Sequence, residues 1–210
     1  MWLLYDLIIH LYGEAIRFAS LFNPKAKKWV AGRKGIFREI ESAVGSRQSA
    51  VNGRRSVTYG RPQTAEIRPQ TVAWFHCASL GEFEQGRPVM EAFRKLYPDW
   101  KIILTFFSPS GYEVRKNYEG ADHILYLPLD TPGNARKFIR MVKPSLVVFV
   151  KYEYWFRYLD FLNKQKIPVY VISAIFRPDQ HFFRWYGGWA LRQLKKVTGY
   201  FVQDETSASL

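Results

Sequence analysis

The feature that most constrains the fold is a series of six short apolar segments that alternate with helical patterns from Thr71 onward. The predicted strands are 72–78, 101–107, 123–127, 145–151, 168–174 and 199–203, and the predicted helices are 84–97, 110–118, 132–142, 154–165 and 181–197. The strands are rich in Val, Ile and Phe without polar alternation, which is typical of strands buried on both faces of a parallel sheet. Helical crossovers between six such strands predict an α/β fold, a Rossmann-like doubly wound parallel sheet over residues 72–210.

The N-terminal residues 1–22 are largely apolar and are predicted to form a helix with one narrow polar stripe. The stripe consists of Asp6, His10, Gly13, Glu14 and Arg17. Its charges would cost about 2.5–3.5 kcal/mol each at the centre of a bilayer, so a simple spanning helix is not expected. No signal-peptide pattern is present either. The remaining alternatives are a helix that lies on a membrane surface and a helix packed on the protein.

The net charge of the chain favours the alternative in which the helix lies on a membrane surface. The chain carries 31 Lys+Arg against 18 Asp+Glu, a net charge of +13, which predicts an anionic partner such as nucleic acid, acidic lipid or a phosphorylated substrate. Basic residues follow the apolar helix directly, so residues 1–43 are predicted to be a membrane-associated segment. The stretch 44–71 has no sustained period and is predicted to be a flexible polar insertion or linker. The single cysteine, Cys77, excludes an intramolecular disulfide.

Ligands of a doubly wound sheet bind beyond the carboxyl ends of its strands, so the residues that follow each strand are the candidate site. These segments mix turn formers with functional groups: Ser79–Glu82, Ser108–Gly111, Pro128–Asp130, Lys151–Trp155 and Phe176–Pro178. Two of them also begin predicted helices, whose free N–H groups suit anions. Ordinary turn and helix-cap chemistry is the alternative for any one of these loops. Five of them at one edge favour a binding site.

Two glutamates are the candidates for acid–base chemistry. Glu82 and Glu84 begin one helix, and since residues two apart lie on different faces, only Glu82 is expected to face the cleft. The alternative role for Glu82 is that of an ordinary first-turn carboxylate stabilised by the helix dipole. Glu153 follows another strand between two tyrosines, which could desolvate it. Cys77 is interpreted as a core residue, because neighbours on a strand such as His76 point to the opposite face.

Several segments together resemble a known family. HCASLGEFEQGRP (76–88), LTFFSPSGYE (104–113), LYLPLDTP (125–132), FVKYEYW (149–155) and VISAIFRP (171–178) are similar to the N-terminal domain of 3-deoxy-D-manno-octulosonic acid (Kdo) transferase, the lipid A glycosyltransferase. The resemblance runs from the N-terminal helix to the end of the chain, apart from 44–71. The variant is that of Bacteroidetes-like bacteria, with Lys151-Tyr152-Glu153 where the commoner pattern reads Glu-Thr-Glu.

The resemblance implies a GT-B enzyme at the cytoplasmic face of the bacterial inner membrane, with this chain as its N-terminal, acceptor-binding half. The expected acceptor is a lipid A precursor, and the donor CMP-Kdo is expected to bind a C-terminal domain that this sequence does not contain. The anomeric centre inverts, and no metal or other cofactor is implied. Glu82 corresponds to the catalytic base and Glu153 to the second catalytic glutamate. The predicted acceptor-binding residues are Ser79, Gly81, Ser108, Ser110, Gly111, Lys151 and Arg177.

Three alternatives remain open at this point. A different GT-B glycosyltransferase with a lipid-linked acceptor would keep the fold and change the donor nucleotide. A basic, aromatic-rich nucleic-acid-binding protein would account for the charge, although the basic residues are spread out and no RNA-module motif is present. Finally, the isolated half could bind acceptor without turnover. The expected partners are therefore the acceptor lipid, CMP-Kdo and an anionic membrane surface, with no nucleic acid.

Overall fold

A computed structural model describes residues 1–45, 71–151 and 154–209 and confirms the predicted α/β sheet. All strand pairs are parallel, and the strands are Val72–Cys77 (β1), Lys101–Phe106 (β2), His123–Tyr126 (β3), Leu146–Val150 (β4), Val169–Ala174 (β5) and Gly199–Val202 (β6). Their order, β3-β2-β1-β4-β5-β6, is the doubly wound Rossmann order. The direction of winding reverses between β1 and β4, so a crevice forms beyond the carboxyl ends of these two strands.

Helices cover both faces of the sheet. They are Trp2–Ala19 (α1), Pro24–Ala31 (α2), Ile36–Gly45 (α3), Leu80–Leu96 (α4), Pro109–Arg115 (α5), Pro132–Val142 (α6), Phe156–Lys164 (α7), Gly188–Leu194 (α8) and Glu205–Ala208 (α9), with a 3₁₀ turn at His181–Phe183. Three of them, α2, α5 and α6, begin with proline after an Asn, Ser or Thr whose side chain accepts a backbone N–H of the first turn. A proline at this position loses no helical hydrogen bond, so the cap and the proline together fix where each helix starts.

The predicted helix at 110–118 is Pro109–Arg115 and the one at 154–165 is Phe156–Lys164; the two largest differences lie elsewhere. The helix predicted at 84–97 begins four residues earlier, at Leu80, and the single helix predicted over 181–197 is the 3₁₀ turn and α8. Gly187 lies between those two elements and Gly188 begins α8, and glycine has low helix propensity. Of the predicted linker 44–71, residues 44–45 are the end of α3, Thr71 precedes β1, and 46–70 lie outside the described residues.

The two faces of the sheet carry separate apolar cores. Trp74 of β1 packs with α6 and α7 on one face, and Phe75 and Cys77 pack with Phe83 of α4 on the other. This alternation confirms that Cys77 is a buried core residue on the face opposite Trp74. All six residues of β1 are buried, as are all six of β2, which explains their uninterrupted apolar pattern.

Helix α1 packs on the protein through the buried residues Ile9 and Gly13 and through Asp6 of its polar stripe. Asp6 forms a two-point ion pair with Arg157 at the start of α7, in which Arg157 Nε lies 2.8 Å from Asp6 Oδ1. Farther along, a Cβ atom at Gly13 would lie 2.8 Å from Cδ2 of Leu129, so the glycine lets α1 approach the loop after β3 without displacing this side chain. Two residues of the stripe, Asp6 and Gly13, therefore help to seat α1, whereas His10, Glu14 and Arg17 are exposed.

The apolar face of α1 points away from the protein. More than half of the surface of Leu7 and of Leu11 is exposed, and the other exposed apolar residues of this face are Leu3, Leu4, Ile8, Tyr12 and Phe18, followed by Leu21 and Phe22 in the turn after α1. Within the described residues, no helix combines the length and apolar content that crossing a bilayer requires. The helix thus packs on the protein, as one of the two alternatives expects, and it also exposes apolar side chains; its attachment to a membrane surface stays a prediction.

Candidate functional site

The crevice between β1 and β4 brings together the residues that follow these strands. Ser79, Gly81 and Glu82 follow β1 and form the start of α4, and Lys151 follows β4 directly. Glu153 and Tyr152 lie outside the described residues, so the pairing of Glu82 with Glu153 across the crevice stays a prediction. The crevice occupies the position where doubly wound sheets bind their ligands.

The Glu82 carboxylate is held by Ser79. The sequence Ser79-Leu80-Gly81-Glu82 has the spacing of a capping box, in which the serine would accept a backbone N–H of the first turn. In the structure Ser79 makes no such bond, and its hydroxyl donates instead to Glu82 Oε2. The other carboxylate oxygen of Glu82, Oε1, has no hydrogen bond among the residues the structure describes. A half-buried carboxylate with one oxygen held and the other free can accept a proton.

Glu84 lies on another face of α4, as its spacing from Glu82 predicts. Its carboxylate pairs with Arg115 of α5, at 2.5 Å, and with Arg87 one turn later, at 3.2 Å. These contacts join α4 to α5 and leave Glu84 committed to two guanidinium groups. Glu82 is therefore the glutamate of this helix that remains at the strand ends.

The segment after β2 lies beside the segment after β1. Ser108 is the N-cap of α5, where its hydroxyl accepts the N–H of Ser110 at 3.3 Å, and its own backbone N–H donates to the carbonyl of Ala78 at 2.7 Å. Gly111 is buried at the contact of these two segments. A Cβ atom there would lie 2.3 Å from the Phe106 ring and 3.0 Å from the backbone of Ser79. Gly111 therefore sets the spacing of the two loops.

Replacing Gly111 with alanine is expected to destabilise the fold by about 1–3 kcal/mol, because the added methyl group overpacks this contact. Gly81→Ala is the matched control, since a Cβ atom at Gly81 meets nothing closer than 3.9 Å. Urea denaturation of both variants checks the prediction. Equal stability of the two would show that the loops can separate without cost.

Lys151 and Arg177 occupy different parts of the same edge. Lys151 has a positive φ of 71°, unusual for a residue with a side chain, and its N–H donates to the carbonyl of Ile172 at 2.8 Å. Arg177 is exposed after β5, where its N–H donates to the side chain of Gln180 at 3.0 Å. Their contact with an acceptor stays a prediction, as it does for the serines and glycines of the other loops.

A buried histidine links the end of β1 to the segment before α7. Trp155 Nε1–H donates to His76 Nε2 at 3.0 Å, so the proton of the neutral ring lies on Nδ1, which is 2.8 Å from Thr105 Oγ1. Thr105 also accepts the indole N–H of Trp74 at 2.8 Å. Because His76 and Trp155 are far apart in sequence and each reads as a core residue, no sequence signal indicated this contact.

Asp130, named from the sequence only as part of a loop, is fully buried below the crevice. Its carboxylate accepts the N–H groups of Arg157 and Tyr158, each at 3.0 Å, and the hydroxyl of Tyr5. Burial raises the pKa of Asp130 to about 6, although these hydrogen bonds act in the opposite direction. Asp130 thus caps the start of α7 and connects this helix to Tyr5 of α1. Helix α7 begins shortly after the segment that carries Glu153.

No group of three or more His, Cys, Asp or Glu residues in the described ranges is arranged to hold a metal ion. The expectation of metal-free chemistry remains a prediction.

Comparison with known proteins identifies the family. Residues 52–210 match the family described as 3-deoxy-D-manno-octulosonic-acid transferase (kdotransferase). The match begins inside the polar stretch 44–71, which was expected to fall outside the resemblance. Curated relatives of that name include proteins of Chlamydophila psittaci, 28% identical over 137 residues, Haemophilus influenzae, 32% over 100, and Aquifex aeolicus, 33% over 97.

These alignments cover 64%, 47% and 46% of this chain, respectively, and 32%, 23% and 27% of the relatives. The matched region thus spans a third or less of the length of each relative. The family match covers most of the chain, including all of the sheet and the segments that carry the candidate site. It favours the glycosyltransferase interpretation over a nucleic-acid-binding protein. The chain belongs to the Kdo transferase family, whose members are glycosyltransferases of lipopolysaccharide biosynthesis.

Proposed function

We propose that this chain is the acceptor-binding domain of an inverting glycosyltransferase that transfers Kdo from CMP-Kdo to a lipid A precursor. The observation that carries the proposal is the Glu82 carboxylate, held by Ser79 at the strand-end crevice in a chain of the Kdo transferase family. The CMP-Kdo site belongs to the part of the relatives' length that this chain does not match.

Glu82 acts as general base. Its free oxygen accepts the proton of the acceptor's primary hydroxyl while the hydroxyl oxygen bonds to the anomeric carbon of Kdo. The bond between that carbon and CMP breaks, CMP leaves with the bonding electrons, and the anomeric centre inverts. The Ser79 hydroxyl, by donating to Oε2, stabilises the ionised carboxylate that this step requires. No metal takes part in the proposed step.

The other predicted site residues stabilise charged groups of the two substrates. Glu153 stabilises the positive charge that develops on the sugar ring as CMP departs. Phosphate groups of the acceptor meet the Ser108–Gly111 turn, where Ser108 and Ser110 begin α5, together with Lys151 and Arg177. The backbone approach at Gly111 and the contact of Ser108 with the loop after β1 support a shared acceptor surface.

The apolar face of α1 supports attachment to the cytoplasmic face of the inner membrane. Lys25, Lys27 and Lys28 are exposed beside this face on α2, where they would meet anionic headgroups at about 1 kcal/mol each. A helix that packs on the protein along one side and exposes apolar side chains along another is suited to lie in the interface. The domain would then bind the acceptor lipid while the acyl chains of that lipid remain in the bilayer.

The proposal is tested by incubating the complete transferase that contains this chain with a bisphosphorylated lipid A precursor and either CMP-Kdo or a UDP-sugar. We expect product only when CMP-Kdo is the donor. Product only with the UDP-sugar would assign the chain to another GT-B glycosyltransferase. For the 210-residue chain by itself, binding of the precursor that persists at high salt is expected, whereas equally salt-sensitive binding of the precursor and single-stranded RNA would argue against a shaped acceptor site.

A further inference from the structure

A basic cleft lies beside the loop after β3, and its described lining includes none of the predicted catalytic or acceptor-binding residues. It has a volume of about 590 Å³ and is bounded by the polar stripe of α1, the turn between α2 and α3, and the loop from β3 to α6. Among the described residues that line it, Arg17, Arg33, Lys34 and Arg38 are basic and Glu14 is the acid. Glu14 forms an exposed ion pair with Arg17, so the other three cations carry the excess charge.

Arg33 is the cation at the base of this cleft. Its guanidinium lies 3.8 Å from the centre of the Trp29 ring and 4.6 Å from that of Phe107. It donates three hydrogen bonds, all to backbone carbonyls: to Leu127 at 2.9 Å, to Phe107 at 2.8 Å and to Trp29 at 3.2 Å. Leu127 and Phe107 directly follow β3 and β2, so Arg33 is fixed at the carboxyl edge of the sheet.

The charge of Arg33 has no carboxylate partner among the described residues. A guanidinium has five N–H groups, and the three hydrogen bonds to carbonyls leave two of them for another acceptor. Burial lowers the pKa of Arg33 to about 9, which still leaves the group charged at neutral pH. A partly buried cation surrounded by carbonyl oxygens and ring faces lacks the anion that would normally compensate it.

Two further groups at the cleft suit an anion. The indole Nε1–H of Trp29 is buried and has no hydrogen-bond partner in the described part of the chain, and Trp29 is only 8% exposed. The N-terminal end of α6 also reaches the cleft through Thr131 and Asn134. The first turn of an eleven-residue helix carries partial positive charge. The Arg33 guanidinium and the first turn of α6 thus bring donors and positive potential to one space, which Trp29 also lines.

We propose that this cleft binds the phosphate group of an acylated lipid whose headgroup has a net negative charge, with Arg33 donating to the phosphate oxygens and Lys34 and Arg38 closing the open side. The lipid origin follows from α1, which forms one wall of the cleft with its stripe and exposes its apolar face beside it. The site does not depend on the proposed transfer reaction, because phospholipid and acceptor both carry such a phosphate.

The first test compares two pairs that each consist of one exposed lysine and one exposed arginine. Lys34→Gln with Arg38→Gln removes two charges from the cleft, and Arg140→Gln with Lys143→Gln removes two charges from the end of α6, outside the cleft. Co-sedimentation with vesicles of equimolar phosphatidylglycerol and phosphatidylcholine is expected to weaken about tenfold or more for the cleft pair only. Equal losses for both pairs would overturn the proposal in favour of diffuse attraction.

The second test addresses Arg33 itself. Arg33→Met keeps most of the side-chain volume, and Arg140→Met on the exposed side of α6 is the control for loss of one charge. We expect about tenfold weaker binding to the phosphatidylglycerol vesicles for Arg33→Met, unchanged binding for Arg140→Met, and equal binding of both to pure phosphatidylcholine. A loss on pure phosphatidylcholine as well would mean that Arg33 acts by seating α1. If Arg33→Met does not fold, the exposed pairs decide the question.

A final comparison separates the sources of the phosphate. Stronger cleft-dependent binding to vesicles that contain a bisphosphorylated lipid A precursor than to phosphatidylglycerol would identify the acceptor's phosphate, and equal binding would identify a general phospholipid headgroup. Both results support the site, whether or not CMP-Kdo turnover is found. Full displacement of the protein by soluble glycerol phosphate at the same phosphate concentration would contradict a lipid-borne ligand.

Discussion

Glu82→Gln is expected to lower the rate of Kdo transfer by about 10²–10⁴-fold in the complete transferase, because the carboxamide cannot accept the proton of the attacking hydroxyl. The substitution keeps the shape of the side chain and an oxygen that can accept the Ser79 hydroxyl. The cost in stability is limited to the loss of a first-turn charge, about 0.3–1 kcal/mol. Single-turnover rates at saturating acceptor measure the effect.

Glu84→Gln is the matched control for this experiment. It removes the same charge from the same helix, two residues away, but from the face that pairs with Arg115 and Arg87. We expect Glu84→Gln to retain near-normal transfer. Near-normal rates for both variants would remove Glu82 from the role of base. Equally low rates for both would indicate that the helix as a whole had shifted.

Asp130→Asn is expected to change how stability depends on pH. The pKa of Asp130 in the folded protein is about 6, above its ordinary value of 3.8. As pH rises between these values, the unfolded chain has lost this proton and the folded protein still holds it, so the free energy of unfolding falls with pH. A difference of two pKa units corresponds to a loss of about 3 kcal/mol in the free energy of unfolding. This loss is complete above about pH 6 and absent below about pH 4.

Urea denaturation of wild type and Asp130→Asn across this range isolates the contribution, because all other titrating groups are common to both. Wild type should lose stability relative to Asp130→Asn as pH rises. Asp160→Asn is a control of opposite sign: burial raises the pKa of Asp160, but its contacts with Lys164 and Lys196 outweigh burial and lower the pKa overall. A parallel pH dependence of wild type and Asp130→Asn would show that Asp130 is not desolvated.

The sheet could be predicted because its signal is local. The strands are continuous apolar segments bounded by turn residues, and the predicted helix 132–142 has the bounds found in the structure because Thr131 and Pro132 mark its start. The early start of α4 was missed although Ser79 and Glu82 have capping spacing. The residues after each strand were predicted correctly as one edge, since parallel strands end together.

The contacts that organise the site were beyond prediction because they join distant parts of the chain. No sequence pattern indicated that Asp130 would cap α7 and accept the hydroxyl of Tyr5. Arg33 belongs to the basic residues that follow the N-terminal helix, and nothing in the sequence distinguishes it from the others. In the structure Arg33 lies against the ends of β2 and β3. Buried polar contacts depend on which loops meet, and a sequence pattern records only that a residue is polar.

The strand order also bears on how the chain acquires its structure during synthesis. The central strand β1 pairs on one side with β2, which is made soon afterwards, and on the other with β4, through Ala73 and Leu146, about 70 residues later. At about 5–20 residues per second, one edge of the most buried strand stays open for several seconds. An open apolar edge can pair with another chain. Helix α3, which is made before β1 and buries Ile36 and Ile40 in the same core as Trp74, is available as an early cover for one face of the growing sheet.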